Sequence, residues 1–289
     1  MAEGLIVAFH PPAVLDRQRL RRAWQRAAPT MSAPEGLLAQ MGQPLLERLD
    51  DIRLTPTRIL ELGDRSGQMA RQLQKRWPKA QVCALAPFPG LGPPPSRGLP
   101  WQRRPWQLVG EARRLPFARG QFDLVISSMA LHWSSDLPAA LREVRRVLAA
   151  DRLFLFTVAG SESLQELHAC LAQWDRERGG GSWPRQLPLP SLAGLGDLLT
   201  ASGFVLPVVD RDRLSLPIPD LPWLLRQLRA MGAGNHMRNR SQGLGGRGCV
   251  RRLEQLYDQE FRQRDNSLHC TLELLFGHAW KGLDKSHPG

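Results

Sequence analysis

Through the middle of the chain, continuous apolar runs alternate with amphipathic ones. "RILELG" at 58–63 is an apolar run closed by glycine, "QMARQLQKRW" at 68–77 has helical spacing, and "QVCALA" at 81–86 is apolar again. "WQLVG", "FDLVISSMAL" and "RLFLFTVAG" read as further strands, with "DLPAALREVRRVL" as the helix between the last two. That helix carries its own start signal, Asp136 at the N-cap and Pro138 in the first turn. Strands that are apolar throughout, rather than at alternate residues, are covered on both faces. Their alternation with helices predicts an α/β fold with a mostly parallel sheet and helices on both sides.

The flanks have a different rhythm. Before the sheet lie two helical patterns, around 15–28 and 35–49. The first is basic, and the second places Leu37, Leu38, Met41, Leu45 and Leu49 at helical spacing. "PFPGLGPPPSRGLP" at 87–100 is a loop on proline and glycine content alone. Beyond Gly160 comes a helix in "SESLQELHACLAQWD" with Ser161 or Ser163 as its cap, then a linker, "RERGGGSWPRQLPLP". There follow a helix ending at Gly203, one strand or a pair in "VLPVVDRDRLSLPI", two more helices around a basic loop, and a last strand in "HCTLELLFGHAWK". The expected division is an N-terminal helical cap over 1–50, a Rossmann-like core over 51–160, a helical insertion or lid with a late strand over 161–262, and a strand completing the sheet over 263–289.

Composition narrows the function classes. The 289 residues suffice for one large α/β domain with insertions. No run approaches the ~20 apolar residues of a membrane span. The apolar stretch at the N-terminus is too short for a signal sequence and follows Glu3 rather than basic residues, so a cytoplasmic location is expected. Cys83, Cys170, Cys249 and Cys270 are scattered without metal-ligand spacing, which predicts reduced structural thiols and no metal site. The formal net charge is +12, and only four of the 39 basic residues are lysines. Such a charge speaks of an acidic partner or of a general arginine bias. Neither an RNA-recognition motif nor an interleaved aromatic and basic strand pattern is present, so nucleic acid is not the expected partner.

Chemistry concentrates where the apolar runs end. Gly63 closes the first strand and Gly67 opens the next helix, with Arg65 between them. In an open α/β sheet ligands sit at the carboxyl ends of the strands, where glycine lets backbone N–H groups approach them. Gly110, Glu111 and Ala112 follow the third strand, and "SSMALHW" follows the fourth.

Taken together, "GEARRLPFARGQFDLVISSMALHWSSDLPAALREVRRVL" resembles the core of class I S-adenosylmethionine-dependent methyltransferases, a Rossmann-like fold with a seven-stranded sheet. "SLQELHACLAQWD", "LLRQLRAMGAGN", "GLGGR" and "TLELLFGHAWK" extend the likeness over nearly the whole chain. They are similar to the malonyl-acyl-carrier-protein O-methyltransferase family of biotin synthesis. A second resemblance, in "SSMALHW", "LLTASGFVLPVVDRDRL" and "RAMGAGN", is to the methyltransferase-like assembly factor of respiratory complex I. The first resemblance implies S-adenosylmethionine as cofactor, held by Glu61, Gly63, Arg65, Gly67, Ala86, Glu111, Ala112 and Ser128. It implies a methyl-transfer site at Ser128, His132 and Trp133. It also implies an acyl carrier protein bearing malonyl as partner, met by arginines drawn from Arg21, Arg22, Arg247 and Arg251, with Arg17, Arg240 and Arg252 as further candidates. Oligomeric state is not legible.

The departures from the family are specific. Its first loop reads Gly-x-Gly-x-Gly, and Arg65 stands at the middle glycine. An acid at the end of the second strand grips the ribose, and here that position is Ala86. Loss of such charged hydrogen bonds costs about 1.5–3 kcal/mol, roughly ten- to a hundredfold in affinity. Arg65 either obstructs the cofactor or pairs with its carboxylate. Two alternatives therefore stand beside the enzyme: a cofactor-impaired binding or assembly protein, and a methyltransferase for another carboxylate or a protein side chain.

Overall fold

The computed structural model describes residues 15–31, 37–63, 65–92, 104–179, 185, 189–240 and 247–283; the side chains of 37–40 and of Arg247 lie outside that set. Two helices, α1 (Arg17–Met31) and α2 (Leu37–Glu47), precede the sheet. Then β1 (Arg58–Leu62), α3 (Gln68–Arg76), β2 (Gln81–Ala86), β3 (Trp106–Val109), β4 (Phe122–Ser128), α4 (Leu137–Val147) and β5 (Leu148–Ala159) follow in turn. The chain continues through α5 (Gln165–Glu177), α6 (Leu192–Ala201), β6 (Val205–Ile218), α7 (Leu221–Ala230), α8 (Arg247–Phe261) and β7 (Leu268–Lys281).

The seven strands form one sheet in the order β3-β2-β1-β4-β5-β7-β6. Neighbours from β3 to β5 pair in parallel, while β7 runs antiparallel to both β5 and β6. The C-terminal strand thus completes the sheet from inside, with β6 left at the edge. The segment 205–218 is one strand, bent by an irregularity between Val205 and Val208.

The apolar runs explain the layers. Leu60, Leu62, Val125, Phe154 and Phe156 face α4 and α6 on one side of the sheet. Ile59, Leu124, Ile126, Leu153 and Leu155 face α2 and α3 on the other. Because neighbouring residues serve opposite faces, a one-residue slip of any inner strand would exchange the two cores. A third cluster joins α5, α7 and α8 through Leu167, Leu221, Leu256 and Tyr257.

Asp136 caps α4 as its sequence predicts, accepting from the Ala139 N–H at 2.9 Å. Neither serine caps α5. Its N-cap position is Leu164 in a left-handed conformation (φ 57°), and Ser163 Oγ instead donates to the Glu273 carbonyl on β7 at 2.9 Å. Burial pushes the thiols of Cys83, Cys170 and Cys270 up to about 11, in keeping with packing rather than reactivity. Among the described residues no helix is long and apolar enough to cross a membrane.

What the sheet order positions is the crevice between β1 and β4. From β1 the chain winds outward through β2 and β3, and from β4 it winds the other way through β5. The carboxyl ends of β1 and β4 lie at the point of reversal, where α/β sheets bind ligands.

Candidate active site

The loop after β1 is set by two glycines. Gly63 sits at φ 91° and Gly67, the N-cap of α3, at φ 72°. Both lie in the left-handed region that side chains disfavour. The Gly63 N–H donates to the Leu85 carbonyl on β2 at 2.8 Å, and a methyl group on Gly63 would overlap Ala130. Gly63 therefore marks close contact between two loops at the strand ends.

Arg65 is a different case. It is not among the residues at positive φ, so the backbone does not require glycine there. Its side chain turns inward and is 6% exposed. Nη2 donates to the Met129 carbonyl at 2.9 Å, and the guanidinium carbon lies 4.9 Å from the centre of the Trp24 ring. That is a hydrogen bond and a cation–π contact for one buried charge. Met129 stands just past β4 at φ 50°, a costly conformation for a non-glycine residue.

Around this loop the cleft is lined with the chain's own side chains. Ala86 is fully buried beneath Trp24, Phe88 and Leu91, where the indole of Trp24 meets Phe88 edge-on at 5.7 Å. Ala86 is part of a small core that fastens α1 to the end of β2. Glu111 and Ala112 line the cleft from the β3 side. Glu111 is bridged to Arg17 at 2.6 Å and Arg113 at 2.7 Å. Burial would raise its carboxyl, but these arginines outweigh burial and hold it below its ordinary range. The space left is about 80 Å³.

A second cavity lies across Trp133. Leu131–Trp133 form a single 3-10 turn after β4, and Trp133 lines both spaces. This cavity measures about 1090 Å³, at the upper end of small-molecule sites, which run roughly 300–1,000 Å³. Its walls include Leu167, Leu224, Leu228 and Leu272. Two imidazoles flank Trp133, His132 at 5.4 Å and His236 at 5.7 Å between ring centres, and both line the cavity. Among the described residues neither Nδ1 has a hydrogen-bond partner. Burial, with the Arg65 charge close by, pushes His132 down to about 3, so it is neutral at physiological pH. His236 is lowered too, chiefly by burial, and its Nε2 lies 2.8 Å from the Gly232 carbonyl.

Arginines contribute to the lining as well: Arg19, Arg22 and Arg26 from α1, Arg226 and Arg229 from α7, and Arg185 and Arg240. Arg185 is held by a bidentate bond to the buried Asp175. Arg240 donates to the Met237 carbonyl and lies 3.7 Å from Asp16.

The residues expected from sequence divide accordingly. Gly63, Glu111 and Ala112 line the cleft, His132 and Trp133 line the cavity, and Arg22 joins the cavity arginines. Ser128 is not brought to either space. It lies on the face of Leu124 and Ile126, where a Cβ on Gly42 of α2 would lie 3.2 Å from its Oγ. Glu61, Arg65, Gly67 and Ala86 line neither space. Arg21 and Arg251 are exposed and line neither; Arg17 and Arg252 are spent on Glu111 and Glu177. Arg247 opens α8, but its side chain lies outside the described residues. Sequence reading missed Arg19, Arg26, Arg226 and Arg229, although spacings of three and four residues already placed each group on one helix face.

Comparison with known proteins fits this geometry. A methyltransferase-domain family profile matches residues 60–156. A malonyl-[acyl-carrier protein] O-methyltransferase of Halorhodospira halophila is 34% identical over 266 residues, 92% of this chain and 88% of the relative. The chain belongs to that family. The mitochondrial arginine-hydroxylase NDUFAF5 of Danio rerio is 29% identical over 273 residues, covering 94% and 84%. In fold, phosphoethanolamine N-methyltransferase 2 of Haemonchus contortus matches with a TM-score of 0.56 at 17% identity, over 94% of this chain and 61% of that one. The sheet is that of a class I methyltransferase.

The fit to S-adenosylmethionine is divided. The backbone frame suits it: left-handed Gly63 and Gly67 at the switch point, with Glu111 and Ala112 opposite. The side chains of Trp24 and Phe88 narrow the cleft, leaving about 80 Å³.

Proposed function

We propose that the chain methylates the free carboxylate of a malonyl group carried on an acyl carrier protein, in the cytoplasm and in the service of biotin synthesis. S-adenosylmethionine is the cofactor of this family and, when bound, supplies an electrophilic methyl group. The observation that carries the reading is a large cavity with apolar walls and arginines, separated from the donor cleft by one shared residue, Trp133.

A carboxylate with a pKa near ~4 is already ionised at neutral pH, so the reaction needs no general base. The lowered, neutral His132 agrees with that requirement. The chain's contribution is alignment and exclusion of water. Gly63, Glu111 and Ala112 hold the donor side, while Trp133 and His132 shape the junction. The arginines from α1 and α7 meet the acidic carrier and its phosphate-bearing arm through charge-assisted hydrogen bonds.

The test is direct. Incubation with S-adenosylmethionine and malonyl-acyl carrier protein should add one methylene to the carrier's mass, and expression should rescue a biotin-requiring strain lacking its own malonyl methyltransferase. An unchanged mass with cofactor bound would reject this substrate. Two observations favour other readings. The altered first loop at Arg65 and the apolar Ala86 favour a binding or assembly protein, which calorimetry without heat at millimolar cofactor would support. The likeness to a protein with a different named activity favours another acceptor on the same scaffold.

A further inference from the structure

The cleft is smaller than the molecule its frame suits. It holds about 80 Å³, whereas sites for molecules of that size begin at roughly 300 Å³. A wall has to move for the cofactor to enter. On one side the walls are the ends of β1 to β4 and the loops that follow them; on the other they are Leu15, Arg17, Leu20 and Trp24, in and just before α1. The strand ends are fixed by their neighbours in the sheet. Backbone contacts tie the start of α1 to the segment after α7 instead. The Asp16 N–H donates to the His236 carbonyl at 2.8 Å, and Leu15 bridges to Met237. Arg19 Nε and Thr30 Oγ1 donate to the carbonyls of Asn235 and Ala230. Towards the sheet α1 offers side chains: Leu20 and Trp24 pack on Ala86, Phe88 and Leu91, and Arg17 reaches across the cleft to Glu111.

That reach closes the cleft. Arg17 Nη2 lies 2.6 Å from Glu111 Oε1, while Arg113 Nε takes Oε2 at 2.7 Å, so both oxygens of the carboxylate are occupied. The Arg17 guanidinium also lies 6.0 Å from the centre of the Phe88 ring. Helix formation does not explain an arginine here, because a cation in the first turn opposes the helix dipole. The two side chains are 37% and 38% exposed, which makes the pair weak enough to open. Resting on the cofactor reading above, we infer that α1 is a lid over the cleft and Arg17 its latch, a positioning residue that holds the lid shut through the carboxylate an entering cofactor claims.

The measurement is stopped-flow association and calorimetric titration of S-adenosylmethionine with the natural chain, Arg17→Gln, Arg17→Ala, Arg17→Lys and Arg21→Gln, with thermal unfolding to establish that each is folded. Arg17→Gln and Arg17→Ala should bind about fivefold more tightly, with most of the gain in the association rate. Arg17→Lys, which can remake the pair, should stay within about twofold of the natural chain, as should Arg21→Gln, an exposed arginine of the same helix that lines neither space. Raising salt from about 0.02 to about 0.5 M should speed association with the natural chain more than with Arg17→Gln, because it screens the latch. Equal rates and affinities in the natural chain and the two neutral variants overturn the inference. So does slower association or weaker binding in those variants, which would make Arg17 a contact of the bound cofactor. Binding by none of these proteins rejects the cofactor reading, and the lid with it.

Discussion

The cleft at the strand ends and the cavity beside it share Trp133 and opposite sides of α1, yet they are built on opposite terms. The cleft has a regular frame, fixed by strand ends and two left-handed glycines, and its own side chains leave about 80 Å³. The cavity has an irregular frame drawn from α1, α5, α7 and the β6–β7 pair, and it stays open at about 1090 Å³. Along α1, Leu20 and Trp24 turn to the cleft, while Arg19, Arg22 and Arg26 turn to the cavity. The frame of the cleft thus rests on its backbone, because sheet order and glycine conformation do not depend on what fills it.

The sharpest way to break the comparison is to remove what the two regions share. Trp133→Ala should join them and let water into the junction. Methyl transfer should fall a hundredfold or more in kcat/KM, about 2.7 kcal/mol. The measurement is initial rates beside thermal unfolding, and an unchanged rate in a folded variant would show that the indole does not form the working wall. Gly63→Ala attacks the frame of the cleft alone. A methyl group there meets Ala130 at a residue held at φ 91°, so overpacking and backbone strain should together cost about 1–3 kcal/mol. Denaturant unfolding reads this directly, and a neutral result would mean that the two loops are not in contact.

The cavity can be sharpened through its charge. The triple change Arg19→Ala, Arg22→Ala and Arg26→Ala should raise KM for a carrier-bound substrate about tenfold and flatten its dependence on salt. A small malonyl thioester without carrier should be little affected. Equal losses on both substrates would place these arginines at the malonyl group instead of at the carrier.

How much was legible in the sequence follows the same division. The frame was readable because its causes are local: continuous apolar strands, Asp136 as a cap, glycines at strand ends. Arg65 and Ala86 stood out as departures, but what they do depends on Trp24, which is about forty positions or more away in sequence and comes over the cleft only when α1 packs on β2. Ser128, which lines neither space, lies against Gly42 of α2, a contact that the sequence of β4 alone does not show. The cavity arginines were missed for the opposite reason. Their spacing was visible, but nothing in α1 or α7 alone tells which helix face meets an opening and which meets solvent.

The smallest effect concerns His132, at the edge of both regions. Its folded imidazole takes up a proton only near pH 3, because of burial and then of Arg65. In the unfolded chain it does so near ~6.5. Acidification between those values therefore protonates the unfolded chain first and favours unfolding. The stability this histidine contributes is complete above about 6.5 and declines as pH falls towards 3. His168, His236 and His278 are lowered in the same direction, so the effect is shared. Between pH 7.5 and 5.5 the share due to His132 should lower the unfolding midpoint by roughly 2–4 °C, and His132→Gln should remove it. If the midpoint falls equally in the natural chain and in His132→Gln, His132 is in contact with solvent and the wall between cleft and cavity is open at that point.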